Sequence, residues 1–278
     1  MKNFEFSWST VDKQHIHATY FTPENPDETK AVLCIIHGLG EHFGRYKHFA
    51  NFLCDNQLAV FGFDWRGHGL SSGQRGHVPN YDIMLNDIDM IIHAAQEKFP
   101  GKNIFLLGHS MGGNFLANFL INRQPKVQGA IITSAWHKLA FKPPHFKRIL
   151  GKIVNNVYGS FSQPNGLIAT EISRDPETVK AYVNDELVHN RISVRLFTYC
   201  FQKGLWNIDN ANKIKVPLLV IHGSDDRITS PEGSAAFFKN ANEPKDLKIW
   251  NGSLHECLNE INKEEVYAHI LQWMNNKM

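Results

Sequence analysis

The stretch NIFLLGHSMGG, residues 103–113, carries an apolar run of strand length through Gly-x-Ser-x-Gly and straight into a helical pattern. A serine in such a strand-to-helix turn sits in a strained backbone conformation that lifts its hydroxyl above the carboxyl end of a sheet. Gly108 and Gly112 flank it and let strand and helix approach closely. Ser110 is therefore a candidate nucleophile. The five-residue motif alone is a weak signal, expected by chance in roughly one chain of this length in ten at average glycine usage. Its weight comes from the rest of the chain.

Working outward, short β-branched or aromatic runs alternate with longer helical patterns, the signature of a mostly parallel sheet covered by helices. Strands are predicted at 4–9, 14–22, 31–36, 59–63, 103–108, 128–134, 216–222 and 246–250, the first two alternating and so forming an antiparallel edge pair. Helices are predicted at 44–55, 80–98, 111–123, 231–241 and 263–276. The fold class is α/β with an eight-stranded sheet. Residues 136–210 break the alternation, with two helical stretches in succession and Pro143, Pro144, Pro164 and Pro176 interrupting them. They read as a helical cap inserted into a core of residues 1–135 and 211–278.

A serine hydroxyl needs a base to take its proton and a carboxylate to fix the tautomer of that base. Both follow in order. The strand at 216–222 runs into HGSDDR (222–227), and the strand at 246–250 is followed by NGSLHE (251–256), so both loops lie at carboxyl ends of strands, where doubly wound sheets build their sites. Asp226 is chosen over Asp225 because it completes H-G-x-x-D, and His255 is chosen among fifteen histidines for its position after the last strand. His222 and His37 also end strands and are expected in or beneath the site. An oxyanion hole needs two backbone N–H groups, one from the residue after the nucleophile and one from an early loop. Met111 supplies the first, and Leu39, within HGLGEH (37–42), the second.

Composition removes whole classes of function. With 29 Lys+Arg against 27 Asp+Glu the formal charge is +2, so nucleic-acid binding is not expected. Cys34, Cys54, Cys200 and Cys257 are too sparse for a disulfide scaffold and read as reduced thiols. Residues 1–30 contain no apolar stretch of signal-peptide length, and no run approaches the ~20 apolar residues of a spanning helix, so a cytoplasmic protein is expected. There is no H-E-x-x-H and no zinc spacing, and the Gly-rich turn at 67–69 lacks the third glycine of a dinucleotide loop. No metal or cofactor is expected.

The sequence resembles the monoacylglycerol lipase family of α/β-hydrolases, which includes lysophospholipase-like enzymes. The matching stretches are HGLGEHFGRY (37–46), FDWRGHGLSSGQRGHV (63–78), GHSMGG (108–113), SRDPETVKAYVNDEL (173–187), HGSDDRIT (222–229) and HECLNE (255–260). The resemblance implies Ser110, Asp226 and His255 as triad, Leu39 and Met111 as oxyanion donors, and a lid over an acyl channel. It also implies that Glu41, Arg45, His109 and Tyr182 meet the glycerol head, although Glu41 and Arg45 could equally pair with each other. The Thr-Ser-Ala-Trp step at 133–136 and the first half of the cap depart from the family pattern.

The expected activity is cofactor-independent hydrolysis of a medium- or long-chain monoacylglycerol through an acyl-enzyme at Ser110. A lysophospholipase, thioesterase or general carboxylesterase would keep the same triad, and a non-catalytic ligand-binding fold would have lost a member of it. A peptidase would need acidic residues in the cap to hold an amine, and residues 136–170 contain none. That same segment interleaves Lys138, Lys142, Lys147, Arg148 and Lys152 with Phe141, Phe146, Ile149, Leu150 and Ile153. It reads either as a solvated cap face or as a contact with an anionic lipid surface.

Overall fold

The computed structural model describes residues 1–142, 154–242 and 244–278. The chain opens with the antiparallel pair β1 (Lys2–Ser9) and β2 (His15–Thr22), followed by β3 (Ala31–Ile36), β4 (Leu58–Phe63), β5 (Asn103–His109) and β6 (Gly129–Thr133). Two short strands follow in the insertion, β7 (Ser162–Pro164) and β8 (Arg191–Ser193), before β9 (Leu218–Gly223) and β10 (Lys245–Trp250) complete the main sheet. Its order is β1-β2-β4-β3-β5-β6-β9-β10. Only the β1–β2 and β2–β4 pairings are antiparallel. The central runs AVLCII, LAVFGF and LLVIHG are buried at every position. Such runs have no polar face to turn to water and fit a parallel sheet covered on both sides.

The covering helices are α1 (Lys47–Asp55), α2 (Tyr81–Lys98), α3 (Met111–Arg123), α4 (Pro176–Asn184), α5 (Val194–Asn210), α6 (Pro231–Asn240) and α7 (Lys263–Asn275). The sheet divides the core in two. Val32, Cys34 and Ile36 face the layer that holds Ile88, Phe115 and Phe237, while Leu33 and Ile35 face Phe49, Leu53 and Ile270 on the other side. Period-2 alternation along β3 is what feeds both layers.

All eight sheet strands lie where the sequence predicts them, with ends displaced by a residue or two. The helix predicted at 44–55 starts later, because Phe43–Tyr46 winds as a 3-10 turn before α1. The β7–β8 ladder pairs Ser162 with Ser193 and Pro164 with Arg191, and three-residue strands carry no periodicity to read. Among the described residues no helix is long and apolar enough to cross a membrane. Phe146, Lys147, Arg148, Ile149, Leu150, Lys152 and Ile153, together with Pro143 and Pro144, lie outside the described residues.

Within the insertion, α4 starts as its sequence dictates, with the Asp175 side chain accepting from the Glu177 N–H and Pro176 in the first turn. Helix α5 seats on α3, and at Gly204 it passes close to the Trp136 and His137 carbonyls. An amide chain reinforces that contact. Asn118 Nδ2 donates to Asn207 Oδ1 at 2.9 Å, Asn207 Nδ2 to the Asn114 carbonyl at 2.8 Å, and Asn114 Nδ2 to the carbonyls of Trp136 at 2.7 Å and Cys200 at 2.9 Å. Buried amides satisfied in this way specify one register between the two helices.

Candidate active site

Ser110 stands between β5 and α3 with φ 53° and ψ −116°. For a residue with a side chain this costs about 1–3 kcal/mol, which surrounding structure must overcome. It does so by hydrogen bonding: the Ser110 N–H donates to the Thr133 carbonyl at 3.0 Å, and the Ser110 carbonyl accepts from Trp136 N at 3.0 Å and Asn114 N at 3.1 Å. A Cβ at Gly112 would collide with the carbonyl oxygens of Ile36 and His37, so glycine there lets α3 sit against the end of β3.

His255 reaches this hydroxyl from the loop after β10, with Nε2 2.9 Å from Ser110 Oγ, and its Nδ1 lies 2.7 Å from Asp226 Oδ2 on the loop after β9. All three side chains are buried. Asp226 Oδ1 accepts from the backbone N–H groups of Ile228 at 2.8 Å and Thr229 at 3.0 Å, while Oδ2 also takes the Thr229 hydroxyl at 2.8 Å and His222 Nε2 at 2.9 Å. Asp225 is exposed and accepts from the neighbouring Ser224 hydroxyl at 2.6 Å. The structure thus brings Asp226, and not its neighbour, to the imidazole.

Electrostatics follow from this packing. Burial works against the charge on Asp226, but His255 and His222 beside it hold the carboxyl far below the usual carboxylate range. Burial likewise opposes charge on His255, and the Asp226 carboxylate, helped by Glu256 and Glu41, more than reverses it, raising the imidazole above its ordinary value. A base with raised affinity for a proton is suited to taking one from a hydroxyl.

The loop after β3 runs beside the nucleophile. Among the described residues neither the Leu39 nor the Met111 N–H meets an acceptor, and Leu39 and Ser110 line one cavity. His37 braces the loop from below, its Nδ1 donating to the Gly38 carbonyl at 2.8 Å while its Nε2 accepts from Trp65 N at 3.0 Å. From the segment between β7 and β8, His189 N donates to the Gly40 carbonyl at 2.8 Å. The cavity over Ser110 has a volume of about 20 Å³, and Leu167, Ile172 and Tyr182 are among the residues that line it. It has room for about one water molecule.

Glu41 and Arg45 do pair, at 2.7 Å across one turn, and both remain at the site. Glu41 Oε1 also accepts from the Gly38 N–H at 2.7 Å and the Tyr46 hydroxyl at 2.8 Å, and its side chain lines the Ser110 cavity. Arg45 then makes a two-pronged contact with Glu256, both distances 2.7 Å, and its guanidinium lies over the Tyr182 ring, 4.8 Å from the centroid. Burial pushes the Glu41 carboxyl up, whereas Arg45, outweighing burial, holds Glu256 low. His109 packs against His255 with ring centroids 4.8 Å apart, its Nδ1 3.1 Å from the Thr133 hydroxyl, and burial pushes it down to about 3. It is neutral at pH 7.

Sequence reasoning did not single out Glu256, whose one signal is its place directly after the candidate base. His222 was expected near the site, but its contact with the same carboxylate oxygen as His255 was not.

Residues 27–262 match the Hydrolase_4 family, described as serine aminopeptidase, S33. The chain is 30% identical to the human monoglyceride lipase over 279 residues, covering 96% of this chain and 89% of that protein. It is 35% identical over 272 residues to an uncharacterized abhydrolase domain-containing protein of Dictyostelium discoideum, covering 97% of this chain but only 28% of that longer protein. Among solved structures, the monoacylglycerol lipase of Paleococcus ferrophilus superposes with a TM-score of 0.84 at 31% identity, with both chains fully covered.

Proposed function

The chain belongs to the Hydrolase_4 family of α/β-hydrolases, and within it we propose a carboxylic ester hydrolase that cleaves monoacylglycerols to glycerol and fatty acid. The observation that carries the reading is the unbroken chain Ser110–His255–Asp226, with contacts of 2.9 and 2.7 Å, buried beside two backbone N–H groups that have no acceptor among the described residues. His255 takes the Ser110 proton as Oγ adds to the ester carbonyl. The Leu39 and Met111 N–H groups receive the developing oxyanion, and the Asp226 carboxylate stabilises the imidazolium. His255 then protonates the departing glycerol oxygen, leaving an acyl-serine. A water molecule deprotonated by His255 attacks that acyl group and releases the fatty acid. In this reading Glu41, His109 and Tyr182, which line the Ser110 cavity, meet the alcohol, with Arg45 paired to Glu41.

Residues 136–210 act in this reading as a cap on a core of residues 1–135 and 211–278. A space of about 20 Å³ cannot hold an acyl chain, so Leu167, Ile172 and Tyr182 must separate for substrate to enter. Val157, Tyr158, Phe161, Ile168 and Val183 of the insertion are all exposed. That apolar surface suits a cytoplasmic enzyme whose cap touches a lipid surface reversibly to collect its substrate.

Initial rates on monoacylglycerols, a lysophospholipid, an acyl-CoA and short p-nitrophenyl esters, measured side by side, test the substrate class. The glyceride should lead, and a thioester or lysophospholipid in first place rejects the reading. Ser110→Ala should abolish both turnover and fluorophosphonate labelling while the protein stays folded, and surviving labelling would point to another nucleophile.

A further inference from the structure

Glu256 follows His255 directly, lines the Ser110 cavity, and is 5% exposed. Its carboxylate occupies one edge of the Arg45 fork: Nη1 to Oε1 and Nη2 to Oε2, each 2.7 Å, with Oε2 also accepting from Asn259 Nδ2 at 2.7 Å. Nη1 is shared with Glu41 Oε2, and Tyr182 covers one face of the guanidinium. An arginine fork is the group that would grip a phosphate by two parallel hydrogen bonds. Here the edge formed by Nη1 and Nη2 is already filled.

We propose that Glu256 closes the alcohol side of the site to anionic head groups, so that neutral esters such as glycerides are accepted and phosphate-bearing lysolipids are refused. The proposal rests on the ester-hydrolase reading above and adds the charge class of its substrate. A phosphate taking the Nη1–Nη2 edge of Arg45 would have to displace Glu256, and that buried carboxylate would keep only the hydrogen bond from Asn259. Approached without displacement, the Ser110 cavity shows the phosphate the side chains of Glu41 and Glu256 and, among the described residues, no arginine or lysine. The neighbouring cleft, which Arg45 borders, has the same bias, since Asp175, Glu177 and Asp185 outnumber Arg45 and Lys263 there. A hydroxyl meets no such barrier. Glu41 Oε2 and Glu256 Oε1 each accept one hydrogen bond and retain a lone pair for a second.

Three esters with the same decanoyl chain, those of glycerol, 1-butanol and glycerol 3-phosphate, assayed as monomers in solution, read this directly. The wild-type protein should show kcat/KM for the phosphate ester at least a hundredfold below that for the glycerol ester. Glu256→Gln frees the Arg45 fork and should cut that ratio at least tenfold, chiefly through KM, and make glycerol 3-phosphate an inhibitor where it was none. Glu256→Met should shift the ratio in the same direction if the glutamine variant does not fold. Wild-type cleavage of the phosphate ester within tenfold of the glycerol ester overturns the proposal, as does an unchanged ratio in either variant that still turns over the butyl ester. The glyceride reading fails separately, by a glycerol ester cleaved no faster than the butyl ester, and the butyl-to-phosphate comparison then still decides the charge rule.

Discussion

His222 Nε2 lies 2.9 Å from Asp226 Oδ2, the same oxygen that His255 Nδ1 holds at 2.7 Å. The carboxylate fixes the proton on Nε2 of His222, and the Ser234 hydroxyl donates to Nδ1 at 2.7 Å. Two imidazoles therefore share one acceptor. His222→Leu should leave Asp226 and Ser234 each short of a partner, costing about 1–3 kcal/mol per buried group, and should lower kcat more than it changes KM. His222→Gln, which keeps a donor, should recover much of the loss. Equal kcat in the leucine variant and the wild type would mean the contact is incidental.

Asp226 and Asp225 separate by role. Replacing the carboxylate that orients the base by its amide costs about four orders of magnitude in kcat in the serine-protease triad, and Asp226→Asn should approach that loss. Asp225→Asn changes an exposed group and should stay within a few-fold of wild type. Rates of the two purified variants on one ester provide the check, and the reverse ranking would rule out Asp226 as the orienting acid.

The pH dependence of kcat/KM should be a rise with pH through a single ionisation. Protonated His255 cannot accept from Ser110, so activity is absent below its value in the fold, and Asp226 sets that value above the ordinary histidine range. A midpoint below 6.5 would contradict the local field described for the site.

Acid should unfold the protein steeply. His37, His109 and His137 are buried and neutral, each pushed down to about 3, chiefly by burial. A depressed histidine binds its proton in the unfolded chain first, so its contribution to stability is intact above about pH 6.5 and is lost as pH falls toward 3. Three such groups cost up to about 4 kcal/mol per pH unit together, against a total stability of about 5–15 kcal/mol. Urea midpoints should fall sharply between pH 6 and 4. A midpoint flat over that window would show that these imidazoles are not buried neutral.

Local pattern already contained the sheet and the elbow. The runs at 31–36, 58–63 and 218–221 carry no polar side chain, which leaves them no stable place except between two helical layers. Gly-x-Ser-x-Gly between strand and helix fixes where the strained serine must be, and the H-G-x-x-D register separates Asp226 from Asp225. These are short-range statements, carried by side-chain period and backbone preference along a few residues.

Other features depend on where distant segments meet. Arg45 and Glu256 are 211 positions apart, and no periodicity relates them; their side chains, 9% and 6% exposed, are compelled to pair because an unpaired charge so little hydrated would be too costly. The choice posed by Glu41 and Arg45, to pair or to face the site, is settled differently for each in three dimensions: they pair, Glu41 lines the Ser110 cavity, and Arg45 lines the cleft beside it. The β7–β8 ladder and the seating of α5 on α3 are likewise products of packing: three residues are too few to show a strand pattern, and the amide chain through Asn114, Asn118 and Asn207 exists only once the two helices touch.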